Sequence, residues 1–370
     1  MRKSGSRLAI ISVLLLGAIV FGLVYFAWNT TLDIFQQPLD TTNTTKTIAF
    51  TINPDDTATT IADHLQKQGI IRNALAFRLW ARIKGLDTHF EAGVYNLSPG
   101  STISKITDQL LNAQPDATVV LIPEGLRIEQ IAQRFTDPVK VKPALVKFNA
   151  QDFLKYTKHV DQFPDAGNYP FLKSIPQGQG MEGFLYPATY EVPVNATARD
   201  VVNQILTAMK DIIQKDNLET IGQQHKLTLY QVVILASLVE REVVQDKDRG
   251  GVASVYWNRI EKQNNETVGF LNSDPSVMYA RDTQNPPQKY WADLIDSGGN
   301  VAPTSPWNTY THQGWTPTPI CNPGERSLLA AANPPPSDNY FFLGVPGDGH
   351  IVYAKTKADF DKLVAQYLHK

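Results

Sequence analysis

The carboxylates best placed for acid–base chemistry close the most apolar segment after the N-terminus. Residues 227–244 read LTLYQVVILASLVEREVV, so Glu240 and Glu242 follow a nearly uninterrupted apolar run. Each helical residue turns by about 100°, which directs these two side chains about 200° apart. The two glutamates therefore cannot act as a pair on one bond from this helix alone.

Glu240 is the predicted general acid. Helical spacing places it on one face with Ala236 and Ser237, whose small side chains leave room beside it. A carboxyl group next to an apolar wall is harder to ionise, and a general acid near neutral pH must hold its proton. The alternative is that the helix surfaces here and that Glu240 pairs with Arg241 or Lys247. Periodicity alone leaves both interpretations open.

Three further carboxylates are candidates for a substrate cleft. Glu124 and Glu182 each precede a glycine, which explains the glycines as turn residues but not the glutamates. Asp274 follows Ser273 and precedes Pro275, an arrangement typical of a helix N-cap with proline at the first helical position. Two roles of Asp274 stay open: it caps the helix, or it lines the cleft.

The segment SPWNTYTHQG (305–314) offers groups that suit a sugar. Trp307 has a face for stacking, and Asn308, Thr309 and Tyr310 carry donors and acceptors for hydroxyl and N-acetyl groups. The alternative is a rigid loop whose polar side chains satisfy its own backbone.

Composition excludes several other classes of function. Cys321 is the only cysteine, so neither an intramolecular disulfide nor a cysteine-based metal site can form. The seven histidines lack metal-ligand spacing, and no phosphate-binding or dinucleotide-binding glycine motif occurs. We therefore expect no metal and no cofactor.

The N-terminus predicts a membrane anchor. Leu8 to Trp28 carries no charge and has the length of a spanning helix, whereas a cleaved signal peptide would have a shorter apolar core. Arg2, Lys3 and Arg7 precede it, which predicts residues 1–7 in the cytoplasm and the rest outside. The outer part has 31 basic and 36 acidic residues, a poor match to nucleic acid. Its lack of disulfides suits a bacterial envelope.

Element patterns divide the rest of the chain. Residues 29–46 are polar and predict a linker, and residues 47–113 have a β-α-α-β pattern typical of a small LysM-like module. Residues 114–370 predict a mixed α+β catalytic domain that ends in a hairpin around residues 346–349 and a helix near 356–368. The irregular stretch 136–180 yields no clear elements.

Six segments in order resemble the endolytic murein transglycosylases, or YceG-like family. They are IPEGLRIEQIA (122–132), EGFLYPATYEV (182–192), ASLVEREVVQDKDRGGVASVYWNRI (236–260), LNSDPSVMYA (271–280), SPWNTYTHQG through PTPICNPGERSLLAAANP (305–334), and NYFFLGVPGDGHIVYAKT (339–356). The resemblance as a whole spans about residues 47–368. Departures are mild: Arg241, Asn272, Ser276 and Trp307 stand where Lys, Gln, Thr and Tyr are common. Trp307 bears on glycan preference.

The resemblance implies a membrane-anchored enzyme that cleaves the MurNAc-β-1,4-GlcNAc bond of peptidoglycan without water and leaves a 1,6-anhydro end. It assigns the catalytic role to Glu240, with peptidoglycan strands as substrate and peptidoglycan synthases as potential partners. Two alternatives stay open: a hydrolytic muramidase in which Glu182 or Asp274 is the second carboxylate, and an inert, membrane-anchored glycan-binding scaffold.

Overall fold

The structure is a computed structural model that describes residues 47–111, 117–262, 264–294 and 301–368, with five isolated positions nearer the N-terminus. The predicted anchor Leu8–Trp28 lies almost wholly outside the described residues. Among the helices that are described, none combines the length and apolarity needed to cross a membrane. The chain divides into two compact units, one ending at Ala117 and one beginning at Thr118.

The first unit has the predicted order of elements. Strand β1 (Ile48–Ile52) is followed by helices α1 (Ala58–Lys67) and α2 (Ala74–Lys84) and by strand β2 (Gly93–Leu97). The two strands pair antiparallel, with Ile48 opposite Leu97. Helix α3 (Ile103–Leu110) completes the unit. The β-α-α-β order is thereby confirmed.

Local sequence explains where these helices begin and end. Thr57 caps α1 through a reciprocal pair of hydrogen bonds with Thr60, and the Asn73 side chain accepts from two backbone N–H groups of α2. Gly85 ends α2 in the left-handed conformation that glycine adopts without strain. The inward faces of both helices pack on β1 and β2 in a core of their own around Phe50.

The second unit is mixed α+β. Strand β3 (Ala117–Leu121) pairs with β4 (Thr189–Pro193), and the C-terminal hairpin pairs β5 (Phe341–Gly344) with β6 (Ile351–Ala354). Its helices are α4 (Ile128–Thr136), α5 (Ala150–Lys158), α6 (Ala198–Lys215), α7 (Leu218–Gln224), α8 (Leu229–Glu242), α9 (Arg249–Glu261), α10 (Asp274–Gln284), α11 (Glu325–Ala332) and α12 (Lys357–Tyr367).

Helix α8 forms the centre of the second unit. It contacts α7, α9, α10 and α11, and every residue from Val232 to Val239 is buried. The wider core of this unit draws on most of its other elements. A helix surrounded in this way can present polar groups only at its ends, which is where Glu240 and Glu242 lie.

Candidate active site

Helix α8 directs its two terminal glutamates to different surroundings. The helix begins at a capping box in which Thr228 and Gln231 satisfy each other's backbone N–H groups. It ends at Glu242, and Val243 takes an extended conformation. The predicted separation of Glu240 and Glu242 around the helix axis decides which neighbours each carboxylate meets.

Glu240 lies in a polar network rather than beside an open apolar wall. Its Oε2 accepts a hydrogen bond from the Gly324 backbone N–H at 3.0 Å and lies 3.3 Å from Arg249 Nη1. The room expected beside Ser237 is filled, because its hydroxyl accepts from the Ile320 N–H at 3.0 Å. The expected apolar wall is therefore wrong. These contacts tie the end of α8 to the starts of α9 and α11.

Glu124 joins Glu240 in this network. It lies in the turn between β3 and α4, and its carboxylate packs against Gly324, where an added methyl group would collide with it. Burial and the negative charge of Glu240 raise the pKa of Glu124, while Arg249 and Arg326 oppose that shift. Glu124 is therefore a neighbour of Glu240 and is separated from the other predicted substrate-binding residues.

Glu242 lines a cavity of about 420 Å³. Carboxylates, cations and aromatic rings form the cavity wall. They come from the end of α8, from α9 and α12, from strand β5, from the segment before α10 and from the loop after residue 301. The lining residues are Glu242, Arg259, Asn272, Asp274, Tyr310, Phe341, Phe342, Leu343, Gly344, Lys357 and Phe360. This mixture of flat apolar faces and polar groups suits a sugar ring.

Two hydroxyl groups orient the Glu242 carboxylate. Its Oε1 accepts hydrogen bonds from Tyr256 Oη at 2.5 Å and from Ser273 Oγ at 3.1 Å. Burial raises the pKa of Glu242, and the charge of Asp274 adds to the increase. The hydrogen bonds from the two hydroxyl groups and the charge of Arg259 lower this pKa. Glu242 therefore combines a fixed geometry with the strengthened hold on a proton that a general acid needs.

Asp274 is the second carboxylate of the cavity. Helix α10 begins at Asp274, so Ser273 occupies the N-cap position and the predicted capping role of Asp274 is wrong by one residue. Instead, Asp274 Oδ1 accepts a hydrogen bond from Tyr310 Oη at 2.7 Å. The residue is exposed, which leaves its carboxylate accessible at the cavity.

The predicted sugar-binding loop divides into supporting and lining residues. Asn308 and Thr309 are fully buried, and Thr309 Oγ1 accepts from the Ser273 N–H at 2.9 Å. Asn308 Oδ1 accepts from the Tyr310 N–H at 2.9 Å. The rigid-loop alternative therefore describes these two residues, which position Ser273 and Tyr310. Tyr310 itself lines the cavity.

Trp307 and Glu182 do not line the cavity. The Trp307 indole donates to Thr318 Oγ1 at 3.0 Å, and its ring lies 5.8 Å from that of Tyr279. Glu182 is 4% exposed and accepts hydrogen bonds from the Ile128 N–H and the Asn322 side chain. Burial raises the pKa of Glu182 to about 8. Neither residue therefore contributes to the cavity that Glu242 lines, and Glu182 is a buried carboxyl group held by its neighbours.

Comparison with known proteins identifies the family of this chain. The profile of the YceG-like family matches residues 50–366, which include both units and every residue of the cavity. The chain belongs to the YceG-like family. A YceG-like protein from Listeria monocytogenes, solved at 2.6 Å, is 27% identical, with a TM-score of 0.53 over 86% of this chain and 99% of that one.

Three relatives from two bacterial species share one name. A Bacillus subtilis protein named endolytic murein transglycosylase is 30% identical over 329 residues, which cover 87% of this chain and 85% of the relative. Proteins of the same name from two Streptococcus pneumoniae strains are 27% identical over 379 residues. Those matches cover 97% of this chain but 65% of the longer pneumococcal proteins.

Sequence reasoning missed several residues that line the cavity or hold Glu242 in its wall. Tyr256 and Arg259 lie within VYWNRI on α9, where their polar groups at helical spacing signal an inward-facing polar surface. The aromatic residues of β5 and α12 gave no signal beyond the hairpin pattern. Across the part of the chain that the structure describes, no group of three or more His, Cys, Asp or Glu side chains is arranged to hold a metal ion.

Proposed function

We propose that this chain is an endolytic murein transglycosylase that cleaves the MurNAc-β-1,4-GlcNAc bond with Glu242 as its acid and base. The name shared by its relatives supports the substrate and the reaction class. The observation that carries the residue assignment is the Glu242 carboxylate, which is held by Tyr256 and Ser273 in the wall of a sugar-sized cavity. Glu240 has no place in that cavity.

The proposed reaction uses one carboxyl group twice. Glu242 donates its proton to the glycosidic oxygen as the bond to C1 of the muramic sugar breaks, and C1 gains oxocarbenium character. The Glu242 carboxylate then takes the proton of the C6 hydroxyl of that sugar, whose oxygen attacks C1. The products are a 1,6-anhydro end and a free GlcNAc hydroxyl, and Glu242 is protonated again. Intramolecular attack reaches effective molarities of about 10⁵ M or more in good geometry.

A hydrolytic muramidase is the second candidate, because Asp274 lines the same cavity as Glu242. Glycosidases that use water commonly employ two carboxylates on opposite sides of the scissile bond. The hydrogen bond from Tyr310 restrains Asp274 and reduces its availability as a base. The two reactions differ in product mass, because the hydrolytic product is heavier by one water molecule.

Mass spectrometry of muropeptides released from purified sacculi tests the assignment. We expect anhydro ends from the wild-type chain and a fall of about 10²–10⁴-fold in Glu242→Gln, which keeps the size of the side chain but cannot relay the proton. Sacculus pelleting should be unchanged in this variant. Products heavier by one water would instead establish the hydrolase.

Glu240→Gln is the matched control on the same helix. Loss of the Arg249 contact should affect stability more than the chemical step. A folded Glu240→Gln that loses activity while Glu242→Gln retains it would restore the sequence-based assignment. A wild-type chain that pellets with sacculi but releases no glycan would favour the inert scaffold.

The membrane location belongs to this proposal. It is supported by the uncharged run Leu8–Trp28 and its basic flank, which predict an uncleaved anchor and an outer catalytic unit in a bacterial envelope. An intact-mass measurement showing that the mature chain begins after residue 28 would contradict the uncleaved anchor. We also propose that the first unit is LysM-like and binds glycan weakly, because it has the β-α-α-β order.

A further inference from the structure

Helix α2 of the first unit carries an exposed aliphatic stripe. Leu75, Leu79 and Ile83 follow one another at intervals of four residues and are 56%, 46% and 52% exposed in the whole chain. We call these three residues the α2 stripe. The opposite face of the same helix, which includes Phe77 and Trp80, is buried in the core of the unit. The α2 stripe is therefore a second apolar face, which the fold of its own unit does not use.

Cations border the α2 stripe on one side. At 100° per residue, Arg82 and Arg78 lie about 20° and 60° to one side of Leu75, while Leu79 and Ile83 lie on the other. Residues 72–86 contain four basic residues and no carboxylate. Neither arginine forms an ion pair with a carboxylate within the described residues. A partner that covers the stripe therefore meets apolar surface next to positive charge.

Leu39, a residue of the predicted linker, lies next to the start of α2. Arg72 Nη2, two residues before the helix, donates a hydrogen bond to the Leu39 carbonyl at 3.4 Å. Leu39 lies 11 residues after the last residue of the apolar run, Trp28. A fully extended chain of that length spans at most about 40 Å. Helix α2 is consequently within reach of the membrane that the anchor would enter.

We propose that the α2 stripe and its arginine border bind the surface of an anionic phospholipid membrane. The inference rests on the proposed membrane location. A helix with aliphatic side chains on one face and basic residues beside them inserts the apolar groups between lipid headgroups while the cations meet lipid phosphates. Adding this contact to the anchor holds the first unit against the membrane surface.

The dimensions of the stripe favour lipid over a protein partner. From Leu75 to Ile83 the helix rises about 12 Å, whereas a stable protein interface covers about 800 Å² on each partner. Three side chains on one helix fall well short of that area. A tethered surface needs little intrinsic affinity, since the anchor makes its encounter with the membrane intramolecular and raises the effective concentration.

The full chain reconstituted in lipid nanodiscs tests the proposal. An environment-sensitive fluorophore is attached to Ile83→Cys, and the sole native thiol, Cys321, is buried and stays unlabelled. We expect a blue shift and protection from aqueous quencher in discs of phosphatidylcholine with phosphatidylglycerol, and much less of both in phosphatidylcholine alone. Raising salt to 1 M, where the Debye length is about 3 Å, should expose the label. A label at Asp63→Cys, an exposed position on α1, should remain in water throughout.

Charge variants separate the lipid contact from other causes of protection. One Lys or Arg near an anionic surface changes partition about fivefold, so Arg78→Glu/Arg82→Glu should reduce the membrane-bound fraction of the label by at least tenfold. Lys67→Glu/Lys105→Glu makes the same change of charge on α1 and α3 and should leave the fraction almost unaltered. Leu75→Ser/Leu79→Ser should release the label even in anionic discs.

The outcomes that overturn the inference are distinct. A label at Ile83→Cys that stays in water in anionic discs contradicts lipid binding, and protection that is independent of lipid charge and salt indicates a protein contact instead. A wild-type chain that fails to float with the discs overturns the membrane location and this inference together. Transglycosylase activity measured on the same sample tests the proposed reaction separately.

Discussion

The hydrogen bond from Tyr256 gives Glu242 a testable pH signature. That bond favours the ionised carboxylate and lowers the pKa of Glu242 against the increase caused by burial. A general acid works in its protonated form, so activity falls as pH rises through this pKa. In Tyr256→Phe the pKa of Glu242 rises, and we expect the alkaline limb of the pH–kcat/KM profile to move to higher pH.

Tyr353→Phe is the matched control for that shift. Tyr353 also packs on α9, but its hydroxyl donates to the Asp248 carbonyl and does not touch Glu242. Its pH profile should match that of the wild type. An unmoved limb in Tyr256→Phe would show that Glu242 does not set it.

Glu182 should make stability depend on pH. Burial raises its pKa in the folded chain to about 8, so between about pH 4.5 and 8 the folded state holds a proton that the unfolded state has lost. Stability therefore falls as pH rises through this window, by up to about 1.4 kcal/mol per pH unit. Glu182→Gln should lose this dependence in urea unfolding at pH 6 and pH 8, whereas exposed Glu191→Gln should keep it. Equal slopes in all three proteins would contradict the assignment.

The sequence predicted several residues of the cavity, but the sequence and the cavity favour different glutamates: the family resemblance points to Glu240, whereas our proposal rests on Glu242. Asp274 and Tyr310, both predicted to meet substrate, do lie together, and Ser273 contacts Glu242. Helical spacing also separated Glu240 from Glu242 correctly. What spacing could not provide is the tertiary partner of each, because Arg249 and Tyr256 reach α8 from the next helix.

At the scale of elements, the N-terminal cap of α8 should support stability without affecting catalysis. Thr228 lies 14 residues before Glu242, about 20 Å along the helix. Replacing it with Ala removes the capping hydrogen bonds and should cost about 1 kcal/mol in free energy of unfolding. Chemical denaturation should show this loss, and the pH profile of activity should be unchanged. Thr228→Ser should recover most of the stability, and a shifted profile would contradict the separation of roles.

Elements with strong local signals were predictable, and those held by tertiary contacts were not. The β-α-α-β order, the strand–turn–helix that contains Glu124 and the C-terminal hairpin follow from alternation, caps and turn residues. The stretch 136–180 instead forms α5 and three short 3-10 turns. Phe153 and Tyr169 anchor it in the core, and such contacts leave no periodic pattern in the sequence.

At the scale of the whole molecule, the two units should contribute separately to action on sacculi. Each has its own hydrophobic core, so removal of residues 1–117 should leave the second unit folded. We expect this variant to pellet less with sacculi than a variant lacking residues 1–46, because two linked binding surfaces exceed either alone. Both should cleave short soluble glycans at similar rates. Equal pelleting would assign the first unit a role other than glycan binding.

The angular separation of Glu240 and Glu242 also limits how this chain can evolve. Deleting or inserting one residue between Ser237 and Glu240 would turn the end of α8 by about 100°. Such a change would withdraw Glu242 from Tyr256 and Ser273 and Glu240 from Arg249 in a single step. Natural selection can act on point substitutions in this segment one residue at a time. A change of length displaces both glutamates at once. We therefore expect length variation among descendants of this chain to accumulate in its loops, with the helical segment Ser237–Glu242 kept at constant length.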